Sequence, residues 1–272
     1  MKVTPKKVRE FQSMIFDWWK LHRRDLPWRH TRNPYKILVS EVMLQQTQVS
    51  RVLPKYQEFL AAFPNVESLS RANAGYIIRL WKGLGYNRRA LYLKKTAETV
   101  VAQYNGIFPH IESELVKLPG LGTYTARALM VFAFEKDVAM VDTNIRQIIT
   151  HFFLNGLPVK EKVIQEIADA LIPVGKSWHW HQALMDFGAL ELSKHKPTCI
   201  ARRKAQPFTT TNRYFRGRII DLLRENNIVE KECIATLIVS YGKSEKFFTS
   251  LISKLILDGL VVRDGTMLRL PQ

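Results

Sequence analysis

Cysteine and long apolar runs are scarce in this sequence. Only Cys199 and Cys233 occur among its 272 residues. Two cysteines cannot form a disulfide framework, and they cannot supply the four ligands of a cysteine-bound zinc or iron–sulfur site. No run of about 18 apolar residues is present, which argues against a transmembrane helix. The first seven residues lack the apolar core of a secretion signal, so we expect a cytoplasmic protein.

Acidic residues are few relative to basic ones. The chain has 24 aspartates and glutamates against 41 lysines and arginines, which gives a formal net charge of +17. An excess of this size favours binding to a polyanion, and nucleic acid is the first candidate. A chain that is merely basic and a chain that binds acidic membranes are the alternatives. We favour nucleic acid, with no membrane partner, and expect a monomer associated with the nucleoid.

Helical periodicity dominates the first two hundred residues, where strand signals are weak. With 46% hydrophobic residues, the chain can bury a large core, and we expect more than one structural unit. Asn33 and Pro34 form a strong helix start, with asparagine as the cap and proline in the first turn. The predicted helices cover residues 34–44, 52–63, 69–80, 90–104, 112–117, 163–171 and 181–192, and another begins near Thr123.

A change of composition marks a boundary after the helical region. Residues 193–213 contain two prolines and clustered lysine and arginine, which is typical of a linker. We therefore predict a helical domain over residues 1–192, a basic linker over 193–213 and a separate C-terminal domain over 214–272.

The predicted C-terminal domain combines three helices with a hairpin. The helices cover 214–225, 231–239 and 244–257, and the hairpin covers 260–269 with Asp264-Gly265 as its turn. This order is typical of a winged-helix domain, which often reads DNA grooves through its third helix. A solvated helix face or a protein-docking module is the alternative. On the DNA-reading interpretation, the third helix and the turn before it offer three phosphate contacts, Lys243, Lys246 and Lys254.

A glycine turn between two predicted helices is the most informative stretch of the chain. It reads Leu-Pro-Gly-Leu-Gly-Thr-Tyr-Thr-Ala over residues 118–126. Glycine permits positive φ and close backbone approach, and a helix that starts there points free N–H groups and the positive end of its dipole outward. That end suits a DNA phosphate, although an ordinary αα-hairpin has the same pattern. The candidate phosphate ligands are Gly120, Gly122, Thr123 and Thr125.

Glu41 and Asp142 are the candidate catalytic carboxyl groups. Glu41 lies within an apolar helical run, where desolvation raises the pKa of a carboxyl group and makes it a usable general acid. The alternatives are a solvated glutamate and, for Asp142, a simple helix cap. Two carboxyl groups in different environments are what cleavage of an N-glycosidic bond requires. About one hundred residues separate the two, and spacing alone does not bring them together.

Several motifs occur in the order found in one known family. Besides the hairpin they are LPWR at 26–29, NPY at 33–35, SEVMLQQTQV at 40–49, WKGLGY at 81–86, VDTN at 141–144 and HQALMDFGA at 181–189. Through them, residues from about 9 to 200 resemble the helix-hairpin-helix superfamily of base-excision DNA glycosylases. They look most like the adenine DNA glycosylase (MutY) branch and the related thymine mismatch glycosylases. The resemblance implies an all-α, two-lobed fold that binds double-stranded DNA carrying a mispaired or damaged base.

The resemblance also implies catalytic roles by position. Glu41 matches the acid that protonates a flipped-out adenine, and Asp142 matches the aspartate that stabilises the positively charged sugar. Asn144 and Tyr124 match residues beside that aspartate. Family members that also nick the strand carry lysine where Tyr124 stands. Without an amine there, a Schiff base is unavailable, so we expect a mainly monofunctional glycosylase that leaves an abasic site.

Further matches concern the flipped base and the gap that it leaves. Val49 and Gln182 match base-pocket positions of the adenine branch, and Gln45 and Gln46 match residues that insert into the DNA. Flipping costs a few kcal/mol of stacking, so such wedge residues are mechanically needed. Tyr86 and Asn87 form the next part of the predicted wedge.

Three features depart from the adenine branch. Most relatives hold an iron–sulfur cluster with four cysteines after this domain, whereas only Cys199 occurs there, so we expect no cluster. A structural monovalent cation at the hairpin is the one metal that the resemblance leaves open. After Tyr86 the adenine enzymes carry a second tyrosine that wedges beside oxidised guanine, and Asn87 here lacks that stacking face. The winged-helix-like segment stands where a domain that senses 8-oxoguanine usually lies.

We predict that the substrate is adenine opposite guanine or 8-oxoguanine, because the glutamines and Val49 are residues of the adenine branch. Thymine or uracil opposite guanine is the second candidate, because residues 28–32, 139–142 and 185–187 look like the thymine branch. The alternative from another class is a non-catalytic DNA-binding protein on a repair scaffold. Retention of Glu41, Tyr124, Asp142 and Asn144 argues against it.

Overall fold

The structure, a computed structural model, describes residues 3–192 and 207–272. In these ranges the chain is helical apart from one small sheet near its end, which confirms the predicted all-α class. It divides into two compact units, the described parts of Met1–Glu41 with Phe108–Ile200 and of Val42–Ile107 with Ala201–Gln272. The three-part domain division stays a prediction. None of the helices in the described ranges has the length and apolar character needed to cross a membrane.

The described residues up to 192 form helices α1 to α11 joined by loops, with a short 3-10 helix, Pro27–His30, after the first of them. In chain order they are α1 Pro5–His22, α2 Pro34–Leu44, α3 Val49–Ala62, α4 Val66–Ser70, α5 Ala74–Leu80, α6 Arg88–Tyr104, α7 Glu112–Leu115, α8 Thr123–Phe132, α9 Thr143–Leu154, α10 Glu161–Ala170 and α11 Ser177–Leu190.

The C-terminal segment, residues 207–272, contains the three predicted helices and the hairpin. In chain order its elements are a 3-10 helix Phe208–Thr210, α12 Asn212–Glu225, β1 Ile228–Glu230, α13 Lys231–Ser240, α14 Glu245–Leu257, β2 Val262–Asp264 and β3 Met267–Arg269. The antiparallel sheet has the order β1-β3-β2. The prediction lacked β1, because a three-residue strand is too short to show alternation.

The hairpin turn differs by one residue from the prediction. Asp264 pairs with Met267, so the two-residue loop is Gly265-Thr266 and not Asp264-Gly265. Gly265 has φ +59°, which glycine adopts without steric cost and which a two-residue hairpin loop needs at its first position. Asp264 therefore belongs to the strand.

Asparagine caps explain where two helices begin. Asn33 accepts a hydrogen bond from the Lys36 N–H at 3.2 Å, so α2 starts at Pro34 as predicted. Asn73 accepts from the Tyr76 N–H at 3.1 Å and starts α5. The single helix predicted over 69–80 is therefore wrong: α4 ends at Ser70, and a new helix begins after the second cap.

Asp186 anchors α11 in the first unit. Its buried carboxylate accepts two parallel hydrogen bonds from Arg29, both 2.8 Å, one from Arg24 Nε at 2.5 Å and one from Trp19 Nε1 at 2.8 Å. Burial by itself raises the pKa of Asp186, but these donors outweigh it and hold the pKa below the usual range. The ion therefore ties α11 to α1 and to the 3-10 helix that follows it.

The C-terminal segment and α5 share one apolar core in the second unit. Ile78 of α5 lies in the same buried cluster as Phe215, Ile219, Leu255 and Leu268. A guanidinium reinforces the contact, because Arg224 of α12 donates to the Ile78 carbonyl from Nε at 3.0 Å and from a terminal nitrogen at 2.9 Å. On α14 the buried face includes Ile252, whereas Ile256 is exposed.

We predict that Asp186→Asn destabilises the protein by about 3–5 kcal/mol, because it leaves the Arg29 guanidinium buried without its counter-ion. Urea unfolding followed by circular dichroism measures the change. The matched control is Asp25→Asn, which removes an exposed carboxylate paired with His30 and should leave the midpoint unchanged. Equal losses in the two variants would contradict the assignment of Asp186 as an anchor.

Candidate functional site

Three polar side chains far apart in sequence interact within the first unit. Glu41 lies on α2, Tyr124 in the first turn of α8, and Asp142 at the N-cap of α9. The Tyr124 hydroxyl donates a hydrogen bond to the Glu41 carboxylate, and the charge of Asp142 acts on both groups. The structure thus brings together the acid and the aspartate that sequence spacing left unconnected.

Glu41 is buried, with 7% of its surface exposed. Desolvation raises the pKa of its carboxyl group to about 7, and the negative charge of Asp142 adds to the increase. The hydrogen bond from Tyr124 acts in the opposite direction but is the weaker effect. At neutral pH the group therefore exists in both protonation states, which is the condition for a general acid.

Asp142 is both a helix cap and a member of the site. Its Oδ1 accepts from the Ile145 N–H at 2.7 Å, and the backbone and side chain of Asn144 also donate to it. Burial raises the pKa of Asp142, while these donors lower it in part. The positive end of α9 favours the same ionised form. The helix-cap role of Asp142 and its proposed catalytic role are therefore compatible, because one position of the carboxylate serves both.

Gly188 allows Asn144 to lie where it does. A Cβ atom at Gly188 would come within 2.6 Å of the Asn144 Cβ, so only glycine leaves room for α9 against α11 at this point. Since Asn144 donates to Asp142, the glycine helps to set the position of the aspartate.

His181 is a positioning residue that the sequence analysis missed. It is 2% exposed; its Nδ1 donates to the Ser177 carbonyl at 2.8 Å, and its Nε2 accepts from the Met140 N–H at 3.2 Å. Burial lowers the pKa of His181 to about 4, so the ring is neutral at pH 7. It holds the chain two residues before Asp142. The neighbouring Gln182, predicted in the base pocket, is also buried.

The glycine hairpin has the predicted helix–turn–helix order, but only Gly120 uses a positive φ. Gly122 is extended, with φ −93°, and a Cβ atom there would meet nothing within 4 Å. Gly120 has φ +79°, and α8 begins at Thr123 with Gly122 as an N-cap that offers no side-chain acceptor. The first-turn N–H groups of α8 are therefore available to an anion. Gly120, Gly122 and Thr123 are exposed, whereas Thr125 is buried, with 3% of its surface exposed, so its hydroxyl is not open to a phosphate.

A buried guanidinium, that of Arg89, joins the two predicted wedge loops of the second unit. One terminal nitrogen donates to the carbonyls of Val42, Met43 and Gln45 at 2.7, 2.9 and 2.6 Å. The other donates to Thr47 Oγ1, the Leu84 carbonyl and the Gly85 carbonyl at 3.0, 2.9 and 3.1 Å. We call residues 45–48 the glutamine loop and residues 83–87 the glycine loop. The sequence does not indicate this role for Arg89. Most of its partners are backbone carbonyls, which every residue type has, so no pattern of side chains marks the contact.

Both loops contain a strained residue among those predicted to contact DNA. Gln46 has φ +53° and Tyr86 has φ +45°, a left-handed backbone that bulky side chains rarely adopt. Gln46 and Tyr86 are exposed, whereas Gln45, Val49 and Asn87 are partly buried. The Asn87 side chain accepts a hydrogen bond from Arg224 at 2.9 Å.

The three lysines predicted to contact phosphates in the C-terminal segment do not share one environment. Lys246 and Lys254 are exposed on α14. Lys243 precedes the helix, and its ammonium lies 5.5 Å from the ring centres of Phe215 and Phe247. Their contact with DNA stays a prediction.

Metal-ligating side chains do not cluster in the described parts of the chain: no group of three or more His, Cys, Asp or Glu residues there could hold a metal ion. Cys233 is free and exposed. Cys199, the cysteine that marks the expected cluster position, lies outside the described residues. The absence of an iron–sulfur cluster and the monovalent cation at the hairpin stay predictions.

Comparison with known proteins gives one family. Residues 39–206 match the profile described as HhH-GPD superfamily base excision DNA repair protein. The adenine DNA glycosylase of Buchnera aphidicola subsp. Baizongia pistaciae is 38% identical to this chain. The match covers 70% of this chain but only 55% of that relative's length. The thymine/uracil-DNA glycosylase of Methanothermobacter thermautotrophicus is 37% identical over 72% of this chain and 90% of its own length. A solved structure of a thermostable thymine-DNA glycosylase superposes with TM-score 0.66, at 36% identity over 73% of this chain and 93% of that one.

We predict that Glu41→Gln stabilises the protein above pH 7. A carboxyl group whose pKa rises from 4.5 to about 7 on folding contributes stability below pH 4.5 and loses it as the pH rises through 7. The variant should therefore match the wild type at low pH and exceed it by about 2–4 kcal/mol at pH 8. Urea unfolding at several pH values measures this difference. Glu10→Gln, an exposed change, should give a difference that does not vary with pH in this way.

We predict that Gly188→Ala destabilises the protein by about 1–3 kcal/mol, because the new methyl group overlaps Asn144. Alanine otherwise stabilises a helix interior, so Gly217→Ala on α12, where a Cβ meets nothing within 4 Å, should raise stability by about 0.5–1 kcal/mol. Thermal unfolding compares the pair. A gain in both variants would show that α9 and α11 do not pack closely at this point.

Proposed function

This chain belongs to the HhH-GPD superfamily of base excision DNA repair proteins, and we propose that it is a DNA glycosylase that hydrolyses the N-glycosidic bond of a flipped-out base. One observation carries the proposal: a buried carboxyl group with pKa about 7 lies beside a second carboxylate held at a helix N-terminus. A proton donor and a fixed negative charge are the two groups that this reaction needs.

Each residue of the site has a step in the proposed reaction. Protonated Glu41 gives its proton to a ring nitrogen of the base as the bond from C1′ to the base breaks. The Asp142 carboxylate stabilises the positive charge that develops on the sugar. Water then adds to C1′ and gives its extra proton to the solvent, which leaves an abasic site; the Glu41 carboxylate takes up a proton from solvent before the next turnover. Tyr124 orients Glu41 and has no amine, so the intact strand is the product.

Phosphate binding is assigned to the glycine hairpin. The free N–H groups at the start of α8 can donate hydrogen bonds to a DNA phosphate, and the exposed turn formed by Gly120 and Gly122 leaves room for it. The net charge of +17 supports a duplex partner. We further propose that the protein acts as a monomer on nucleoid DNA and needs no iron–sulfur cluster.

Adenine opposite guanine or 8-oxoguanine is the proposed substrate. Gln45, Gln46, Val49 and Gln182 support it, since these are the residues through which the chain resembles the adenine branch. A second candidate is thymine or uracil opposite guanine. The thymine/uracil-DNA glycosylase favours it, because the match to this chain covers 90% of that relative's length. Asn87 also stands where the adenine branch carries tyrosine.

The test is base release from duplexes with A:G, A:8-oxoguanine, T:G and U:G pairs, each treated with alkali to break the strand at abasic sites. In single-turnover experiments we expect the rate to fall about tenfold per pH unit above pH 7, as Glu41 loses its proton. Glu41→Gln should lower the rate by about 10²–10⁴-fold and Asp142→Asn by about 10²–10³-fold. Both variants should keep their affinity for duplex DNA.

Two controls accompany this experiment. Glu10→Gln, an exposed change in the same unit, should behave like the wild type. Borohydride should trap no covalent adduct, because the site has no amine at Tyr124. Release of adenine supports the first substrate and release of thymine or uracil the second. Binding without release from any duplex would overturn the enzymatic proposal in favour of a DNA-binding protein.

A further inference from the structure

An arginine of the C-terminal segment lies on the exposed ring of the glycine loop. The Arg213 guanidinium carbon is 3.9 Å from the centre of the Tyr86 ring, and a terminal nitrogen donates to the Tyr86 hydroxyl at 2.8 Å. Arg213 is exposed, and Tyr86 is 39% exposed. The other guanidinium nitrogens of Arg213 have no hydrogen-bond partner within the described ranges. The pair therefore presents a flat surface with free donors to solvent.

The glycine loop that carries Tyr86 is held in place from two sides. Arg89 lies 5.6 Å from the same ring and binds the carbonyls of Leu84 and Gly85 in the glycine loop. From the C-terminal segment, Arg224 binds Asn87 in the same loop and also the Ile78 carbonyl of α5. The left-handed backbone of Tyr86 adds to the constraint. The ring on which Arg213 lies is therefore held in place beside residues that are proposed to enter the DNA.

We propose that Arg213 is a specificity residue that recognises the base opposite the excised one, and that this base is guanine. The proposal rests on the proposed function, in which both candidate substrates place guanine or its oxidised form in the opposite strand. A guanidinium is the side chain best matched to the O6 and N7 acceptors of guanine, to which it donates two parallel hydrogen bonds. The Tyr86 ring lies against one side of the guanidinium and its hydroxyl accepts from one of the donors, so the remaining donors are left for the base.

The same chemistry separates guanine from 8-oxoguanine. Oxidation at C8 places a hydrogen on N7, which turns this acceptor into a donor that a guanidinium cannot bind. We therefore expect this protein to prefer plain guanine in the opposite strand. The C-terminal segment then contributes to mispair reading through the start of α12, not only through the groove contacts predicted for α14.

The test uses an uncleavable product analogue, so that it does not depend on which base is removed. Duplexes carry a tetrahydrofuran abasic site opposite guanine, 7-deazaguanine or 8-oxoguanine, and binding is measured by fluorescence anisotropy. Replacing N7 by carbon should weaken binding of the wild type about 5- to 100-fold relative to guanine. Arg213→Ala should bind all three duplexes with equal, weak affinity. Arg213→Lys keeps the charge without the forked donors, and it should also lose the discrimination.

Arg218→Ala is the matched control, since it removes an exposed arginine from the next turn of α12. It should keep the preference for guanine, and thermal unfolding should show that all variants are folded. If the wild type bound guanine and 7-deazaguanine duplexes equally, or if Arg213→Ala kept the wild-type preference, the assignment would be wrong. Loss of base release with this preference intact would count against the proposed function alone.

Discussion

Burial of the Glu41 carboxyl group is the constraint that organises the first unit. Desolvation alone would make the ion too costly, and the hydrogen bond from Tyr124 offsets part of that penalty. A second carboxylate nearby increases the cost again, so Asp142 needs donors of its own, which the start of α9 supplies. The raised pKa of Glu41 follows directly from this balance.

The supporting residues of the first unit lie on α11. His181 fixes the chain before Asp142, and Gly188 leaves room for Asn144. The helix itself is held by the buried Asp186 and the bidentate Arg29. A substitution in this helix can therefore change the positions of the site residues without contacting them, because closely packed helices transmit small shifts.

The second unit shows the same principle with the charge reversed. Arg89 is buried among backbone carbonyls of two loops, and it makes six hydrogen bonds from its two terminal nitrogens. Left-handed residues such as Gln46 and Tyr86 cost of order 1–3 kcal/mol each, and they persist where the surroundings over-determine them. Rigid, exposed loops are suited to entering a DNA helix, since they lose little entropy on binding.

Much of the local structure follows from residues that act over three or four positions. The Asn33 cap, the glycine hairpin and the start of α8 at Thr123 were predictable, because caps and glycine turns depend on neighbouring atoms only. Motif order also predicted the family, which the profile match confirms. The continuous helix over 69–80 was wrong for a local reason, the overlooked cap at Asn73.

The sequence by itself therefore determined the helical class, the family and the identity of the candidate acid and aspartate. Only the tertiary structure decided that Glu41, Tyr124 and Asp142 interact, since packing and not spacing joins three distant segments. It also decided the roles of Arg89 and Arg213. Their partners are carbonyl groups and an aromatic ring from other segments of the chain. The sequence around an arginine does not show which of these distant groups it will contact.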